Sequence, residues 1–181
     1  MDRLFVMDLK NYDESAPRFR RPSVRAIILR DGKVAMVHSL KYNYYKFPGG
    51  GIEEGESFHE ALIREVEEES GLVVIPDSIT DFGSVLRIQH GTKAENEVFE
   101  QENFYYRCDV EETIQKQKLD GYEADEQFTL EFVAPKIAID INRNKNHGPK
   151  DRVMLEREAR VLEMLEQTAE KAAEINKQRA E

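Results

Sequence analysis

Three glutamates, Glu65, Glu68 and Glu69, stand at i, i+3 and i+4 within a stretch of strong helical character. Residues three and four apart share one helix face, so these carboxylates are neighbours. Like charges in that arrangement oppose the helix, and near its C-terminal end the helix dipole also disfavours anions. Two bare carboxylates ~4 Å apart repel by roughly 1 kcal/mol in water and ~4 kcal/mol near a protein surface. A cost of that size points to a compensating cation. Oxygen donors without accompanying Cys or His favour Mg²⁺, with Mn²⁺ as a substitute. Taken alone the same residues also read as a solvated acidic face, and their surroundings have to decide.

The elements around the cluster are well specified. Gly49-Gly50-Gly51 after Pro48 is a loop, since three consecutive glycines suit neither strand nor helix. Ser57 and Glu60 form a capping box, Gly71 occupies a C-cap position, and Leu62 with Val66 supply an apolar stripe between them. The spacing therefore predicts a flexible loop, then a capped helix whose last turns are densely acidic, with Glu56 at the junction. Upstream, β-prone runs over 4–9, 24–29 and 33–37 are expected as strands, the last two joined by a tight turn at Asp31-Gly32. Further strands are expected over 72–75, 79–88, 97–109 and 128–133, and a short helix after Ala134-Pro135 through Ile141.

Written out, Gly50, Glu56, Arg64, Glu65, Val66, Glu68, Glu69, Gly71 and Leu72 fill every fixed position of the pattern G-x5-E-x7-R-E-U-x-E-E-x-G-U, where U is a bulky aliphatic residue. The stretch resembles the Nudix box, and looser likeness extends over residues 22–142. The resemblance implies an α/β fold, an α/β/α sandwich with a mixed sheet, here carrying a long C-terminal helix. It implies Mg²⁺-dependent hydrolysis of a nucleoside diphosphate linked to another group. It further implies that Glu65, Glu68 and Glu69 are metal ligands, one of them also the general base, and that the Gly49 carbonyl is another ligand. Arg64 would hold the carboxylates in place, and Gly50 and Gly51 would let backbone approach metal or phosphate. Glu126 sits where some members carry an additional glutamate; Glu123 and Asp125 are near competitors for that role.

Tyr42, Tyr44 and Tyr45 flank the glycine loop, and Tyr45 is taken as a substrate-binding candidate for base stacking. Arg25, Arg87 and Lys93 are candidate phosphate ligands or, more plainly, partners of nearby acids. His38, His59, His90 and His147 have no spacing that suggests zinc. Cys108, the one cysteine, reads as a small buried hydrophobe and excludes an internal disulfide.

With 36 acids against 26 bases the formal net charge is −10, which disfavours a nucleic acid polymer as partner. A small nucleotide remains compatible, because a bound divalent metal reverses the local sign. The N-terminal apolar run is short for a signal peptide, and nothing approaches the ~18 apolar residues that span a membrane; a cytoplasmic location is expected. The organisation expected is a catalytic domain over 1–148 and an amphipathic helix over 149–181. Leu155, Leu162, Leu165, Ala169, Ala172 and Ile175 form the stripe of that helix, which either folds back or pairs with a second copy as a homodimer. Among substrates a nucleoside triphosphate is slightly favoured over ADP-ribose or a nucleotide sugar, since Pro76 comes too soon for the proline of ADP-ribose-type relatives. Two alternatives stand beside the enzyme: a catalytically silent nucleotide-binding sensor or scaffold, and a helix-mediated interaction protein.

Overall fold

The Asp31-Gly32 turn has both residues in the left-handed region, at φ 51° and 73°, the geometry whose twist matches that of its flanking strands. It belongs to a computed structural model of the chain that describes residues 1–91 and 96–180. The elements in order are β1 (Arg3–Asp8), β2 (Arg18–Arg20), β3 (Ser23–Ile27), β4 (Leu29–Arg30), β5 (Lys33–Ser39), β6 (Tyr44–Lys46), α1 (Phe58–Ser70), β7 (Leu72–Val74), β8 (Thr80–His90), β9 (Val98–Arg107), β10 (Val110–Ile114), α2 (Gly121–Asp125), β11 (Phe128–Val133), α3 (Pro135–Asn144) and α4 (Arg152–Ala180). The β-prone run over 24–29 is divided at Ile28, so that β3 pairs with β9 and β4 pairs with β5. One run thus serves two sheets.

The first sheet is mixed, in the order β1-β8-β9-β2 with β3 also on β9. In it β8 runs antiparallel to β9, while β1 is parallel to β8 and both β2 and β3 are parallel to β9. The second sheet is antiparallel, ordered β11-β5-β4 with β6 on β5. Successive side chains of a strand face opposite ways. Val24 and Ala26 of β3 accordingly pack with Ala61, Leu62 and Val66 of α1, whereas Ile27 packs with Val161, Leu162 and Leu165 of α4. Helices cover both faces, which is the α/β/α arrangement.

The short elements are those the sequence pattern did not announce. β2 is three residues long and is held by Arg18 and Arg20 on Glu100. α2 begins at a second capping box, Asp120 with Glu123. α3 continues to Asn144, past the expected end at 141. In α4, Leu155, Ala159, Val161, Leu162 and Leu165 are buried, so its first half folds back and shares a core with the sheets, while Ile175 is exposed. Ala172 of the expected stripe, like Lys93, lies outside the described side chains. Among the described residues no helix is long and apolar enough to cross a membrane.

Both C-terminal helices grip β6, the strand that leads into the glycine loop. Asn142 of α3 accepts from the Tyr45 N–H and donates to the Tyr45 carbonyl, each at 2.8 Å. Glu158 of α4 accepts from the Phe47 N–H at 3.2 Å. Because Leu162 is fully buried, Leu162→Ala is expected to cost about 2–5 kcal/mol, whereas Ile175→Ala on the exposed half should change stability by no more than about 0.5 kcal/mol. Urea denaturation of the two variants checks this, and equal losses would mean that the outer half of α4 is packed as tightly as the inner half.

Candidate active site

The helix α1 forms for the reasons its sequence suggests. The Ser57 side chain accepts from the Glu60 N–H, the Glu60 side chain accepts from the Ser57 N–H, and Gly71 ends the helix at φ 73°. Its apolar face is buried against β3, and that fixes where each glutamate points. Glu65 and Glu68 face one way and Glu69 another.

Arg64 organises the first group. Its Nε and Nη2 bind the two Glu56 carboxylate oxygens, both at 2.8 Å, in the bidentate geometry guanidinium favours. Its Nη1 donates to Glu65 at 2.8 Å and to Glu68 at 3.2 Å, and Nη2 also reaches the Gly51 carbonyl at 3.2 Å. The bond to Arg64 holds the Glu56 carboxyl below its ordinary range against a smaller opposing effect of burial. Gly50 lies directly over the Glu65 carboxylate, where any Cβ would collide with it.

Glu69 is only 1% exposed. It accepts from the Gly49 N–H at 2.9 Å and pairs with Lys46 of β6, itself buried. Burial pushes its carboxyl up to about 7, and the charges of Lys46 and Arg25 only partly offset that rise. Arg25 of β3 donates to the Gly49 carbonyl. The loop is also sewn to β3 by backbone, with Val24 N–H to Gly50 carbonyl at 2.9 Å and Ala26 N–H to Pro48 carbonyl at 2.8 Å. Gly49 adopts φ 137° with the β3 backbone against its Cα, so no side chain fits there.

Beyond the loop opens a cleft of about 340 Å³, bordered by Gly49, Gly50 and Gly51. Lys46, Arg25, Arg21 and Lys150 make its wall basic, and Tyr44, Tyr122 and Phe128 add aromatic rings. Tyr45, the expected stacking residue, points the opposite way, stacked on His38 and donating to Glu131 at 2.7 Å. Strand alternation puts Tyr44 and Lys46 on the cleft side instead. That same period-two signal was available in the sequence, and it identifies Lys46 as well. Lys150 and Tyr122 carry no comparable signal, since each reaches the cleft from a separate loop or short helix.

Glu126 is buried and bonded to Lys150, to the Tyr44 hydroxyl at 2.8 Å and to Ser39 at 3.2 Å. It stands at the cleft edge as a knot between three segments. Glu123 caps α2 and Asp125 pairs with Lys41 on the surface, so neither competes for that place. Arg87 is buried on Asp151. Cys108 is buried and its thiol is pushed up to about 12, which leaves it a packing residue.

Among the described residues no three His, Cys, Asp or Glu side chains converge as a ready metal cage. The donor chemistry nonetheless fits a hard divalent cation. Glu56, Glu65 and Glu68 form an all-oxygen cluster, Glu68 is partly open to solvent, and the space above Glu65 exists only because Gly50 lacks a Cβ. In this arrangement protein cations, Arg64 on one side and Lys46 with Arg25 on the other, carry the compensation.

A family model described as NUDIX domain matches residues 19–157. Among curated proteins the chain is similar to the RNA pyrophosphohydrolase of Acinetobacter baylyi, 43% identical over 54 residues, which are 29% of this chain and 32% of that protein. It is likewise similar to that of Stenotrophomonas maltophilia, 34% identical over 65 residues, 35% of this chain and 31% of that one. The match thus spans about a third of these relatives' length. Among solved structures, the mutator MutT protein of Bacillus halodurans has the same fold, with a TM-score of 0.50 at 19% identity over 75% of this chain and 80% of that one.

The two carboxyl environments give opposite pH dependences. Glu69 is raised from 4.5 to about 7, so its contribution to stability is full below pH 4.5 and is lost as pH rises through 7. Glu56 is held below 4.5, so its contribution is present above that pH and is lost as pH falls below it. Thermal melts in EDTA from about pH 4 to about pH 8 should show Glu69→Gln without the neutral-side slope and Glu56→Gln with a flatter acid limb. A Glu69→Gln curve parallel to wild type at neutral pH would remove the assignment.

Proposed function

The chain belongs to the NUDIX domain family, and from that premise we propose that it hydrolyses a small nucleoside-diphosphate-linked molecule with the help of a divalent metal, Mg²⁺ or in its place Mn²⁺. One observation carries the reading. The glycine loop has an all-oxygen acidic face on one side, gathered by Arg64, and a basic, aromatic-lined cleft on the other.

In this reading Glu65 and Glu68 hold the metal, with Glu69 and the Gly49 carbonyl completing the set that the family pattern implies. A metal bound there supplies charge neutralisation at the pyrophosphate oxygens and a water of lowered pKa. The chain's own groups do the rest. Lys46 binds phosphate oxygens across the Gly49–Gly51 backbone, and Lys150 guards the outer edge. Glu65, oriented by Arg64, takes the proton of the attacking water as its oxygen bonds to phosphorus and the bridging P–O bond breaks. Arg64 acts through the carboxylates and is a positioning residue. Tyr122, exposed at the cleft, rather than Tyr45, would stack on a base.

Substrate choice rests on charge. Several cations in one cleft favour a triphosphate over ADP-ribose or a nucleotide sugar. The relatives named RNA pyrophosphohydrolase match over a short stretch, and a chain of net charge −10 is poorly suited to a long polyanion. A second reading, a silent nucleotide-binding protein, draws on one fact: Lys46 already pairs with Glu69, and Arg25 already donates to the Gly49 carbonyl.

The test is hydrolysis of nucleoside triphosphates, ADP-ribose, nucleotide sugars and dinucleotides with Mg²⁺, Mn²⁺ or EDTA. Metal-dependent turnover of one class is expected, falling by about 10²-fold or more in Glu68→Gln. Saturable nucleotide binding without turnover on any member would replace the hydrolase with the silent binder.

A further inference from the structure

Beside the cleft lies a second cavity of about 280 Å³, lined from β2, β3, β8, β9 and the start of α4. It shares Arg21, Arg25, Gln101, Asp151 and Met154 with the cleft, so the two spaces adjoin through a common wall. Arg21, Arg25, Arg87 and Arg157 line it, against two carboxylates, Glu97 and Asp151. That is a concentration of positive charge in a chain whose net charge is −10.

The four arginines are not equivalent. Arg157 is paired with Glu158, and Arg87 with Asp151. Arg21 and Arg25 form no ion pair among the described residues. Arg21 is exposed and lies over Gly51, whereas Arg25 is 8% exposed and its Nε is buried without a hydrogen-bond partner among the described residues. A buried guanidinium that meets Glu69 only through its longer-range field and makes no hydrogen bond from its Nε is costly to fold, and an anion seated against it supplies both a direct counter-ion and an acceptor. Among the described residues Glu97 Oε1 is likewise buried and unpartnered. A carboxylate oxygen beside such an anion needs a donor, which a sugar hydroxyl supplies.

We propose that this cavity holds a phosphoryl group beyond the pyrophosphate bound at the glycine loop, with Arg25 and Arg21 as its direct ligands and Glu97 receiving an adjacent hydroxyl. The inference rests on the reading that the loop takes a pyrophosphate, and it narrows the substrate class to molecules with a third phosphate. Two sources provide it: the end of a triphosphate chain, or a phosphate monoester on the nucleotide sugar. The neighbouring rings in the cleft are left for the base.

Calorimetric binding in EDTA reads the protein's own cations without turnover. The probes are ADP, ATP and ADP carrying a 3′-phosphate. Wild type is expected to bind one of the two triply phosphorylated probes at least about tenfold tighter than ADP, and which one is preferred identifies the source. Arg21→Ala, an exposed position whose loss spares the fold, and Arg25→Gln should each reduce that preference while binding of ADP falls less. Equal affinity for all three probes in wild type, or a preference untouched in Arg21→Ala and in a folded Arg25→Gln, overturns the proposal. The preference is measured without reference to hydrolysis. Turnover without it would remove the third-phosphate site alone, and the preference without turnover would keep that site and remove the hydrolase.

Discussion

An ionised carboxylate withdrawn from water costs several kcal/mol unless it is paired and hydrogen-bonded, and Glu69 is withdrawn almost completely. The apolar face of α1 dictates this. With Leu62 and Val66 seated against β3, residue 69 has nowhere to go but inward. What surrounds it follows from that placement. Lys46 must come from β6 with the right parity, the Gly49 N–H must point back at the helix, and Gly49 must bring its backbone against β3 where no side chain fits. The glycine loop is therefore not a loose connection. Its shape is set by a buried charge on one side and by backbone bonds to β3 on the other.

Three carboxylates that look equivalent as a row of glutamates thus occupy two environments. Glu65 and Glu68 share one arginine near solvent, which holds them side by side without neutralising them completely. Glu69 shares a lysine in a dry pocket, where its proton affinity rises toward neutrality. Separating carboxyl groups in this way lets one helix carry an acidic pair near solvent together with a group whose proton affinity burial raises toward neutral pH. Arg25 belongs to the same economy of charge, because it touches the loop carbonyl and lies within the field of Glu69.

Much of this was legible in the residues. The capping box, the C-cap glycine and the spacing of the glutamates describe α1 and its acidic end, because each feature is local. The Asp31-Gly32 hairpin and the long strands are legible for the same reason. What the sequence did not disclose depends on which way a chain turns in space. The division of one β-prone run between two sheets at Ile28 depends on partners more than fifty residues away in one case and only a hairpin away in the other. Tyr45 and Tyr44 are indistinguishable by composition, and only the register of β6 on β5 assigns one to His38 and the other to the cleft. Glu126 reads as a loop residue, yet Lys150, Tyr44 and Ser39 enclose it.

The C-terminal helix shows why the site cannot be understood from the acidic helix alone. Periodicity identifies α4 as amphipathic but does not say what its stripe covers. In place, it buries Leu155, Leu162 and Leu165, and it also carries polar groups inward: Arg157 and Glu158 are among the most buried side chains in the protein. Replacing such a pair by apolar residues is often neutral or stabilising, so packing alone does not explain it. Its geometry does. Glu158 meets the Phe47 N–H one residue before Pro48, and Arg157 holds Glu158 in position to do so. Asp151, one step before the helix, caps the first turn through the Val153 N–H and anchors Arg87 in the adjoining cavity. The helix therefore fixes the entrance of the glycine loop and one wall of the arginine-lined cavity in a single packing event. A rearrangement of α4 would move both the loop that faces the carboxylates and the arginines that line that cavity.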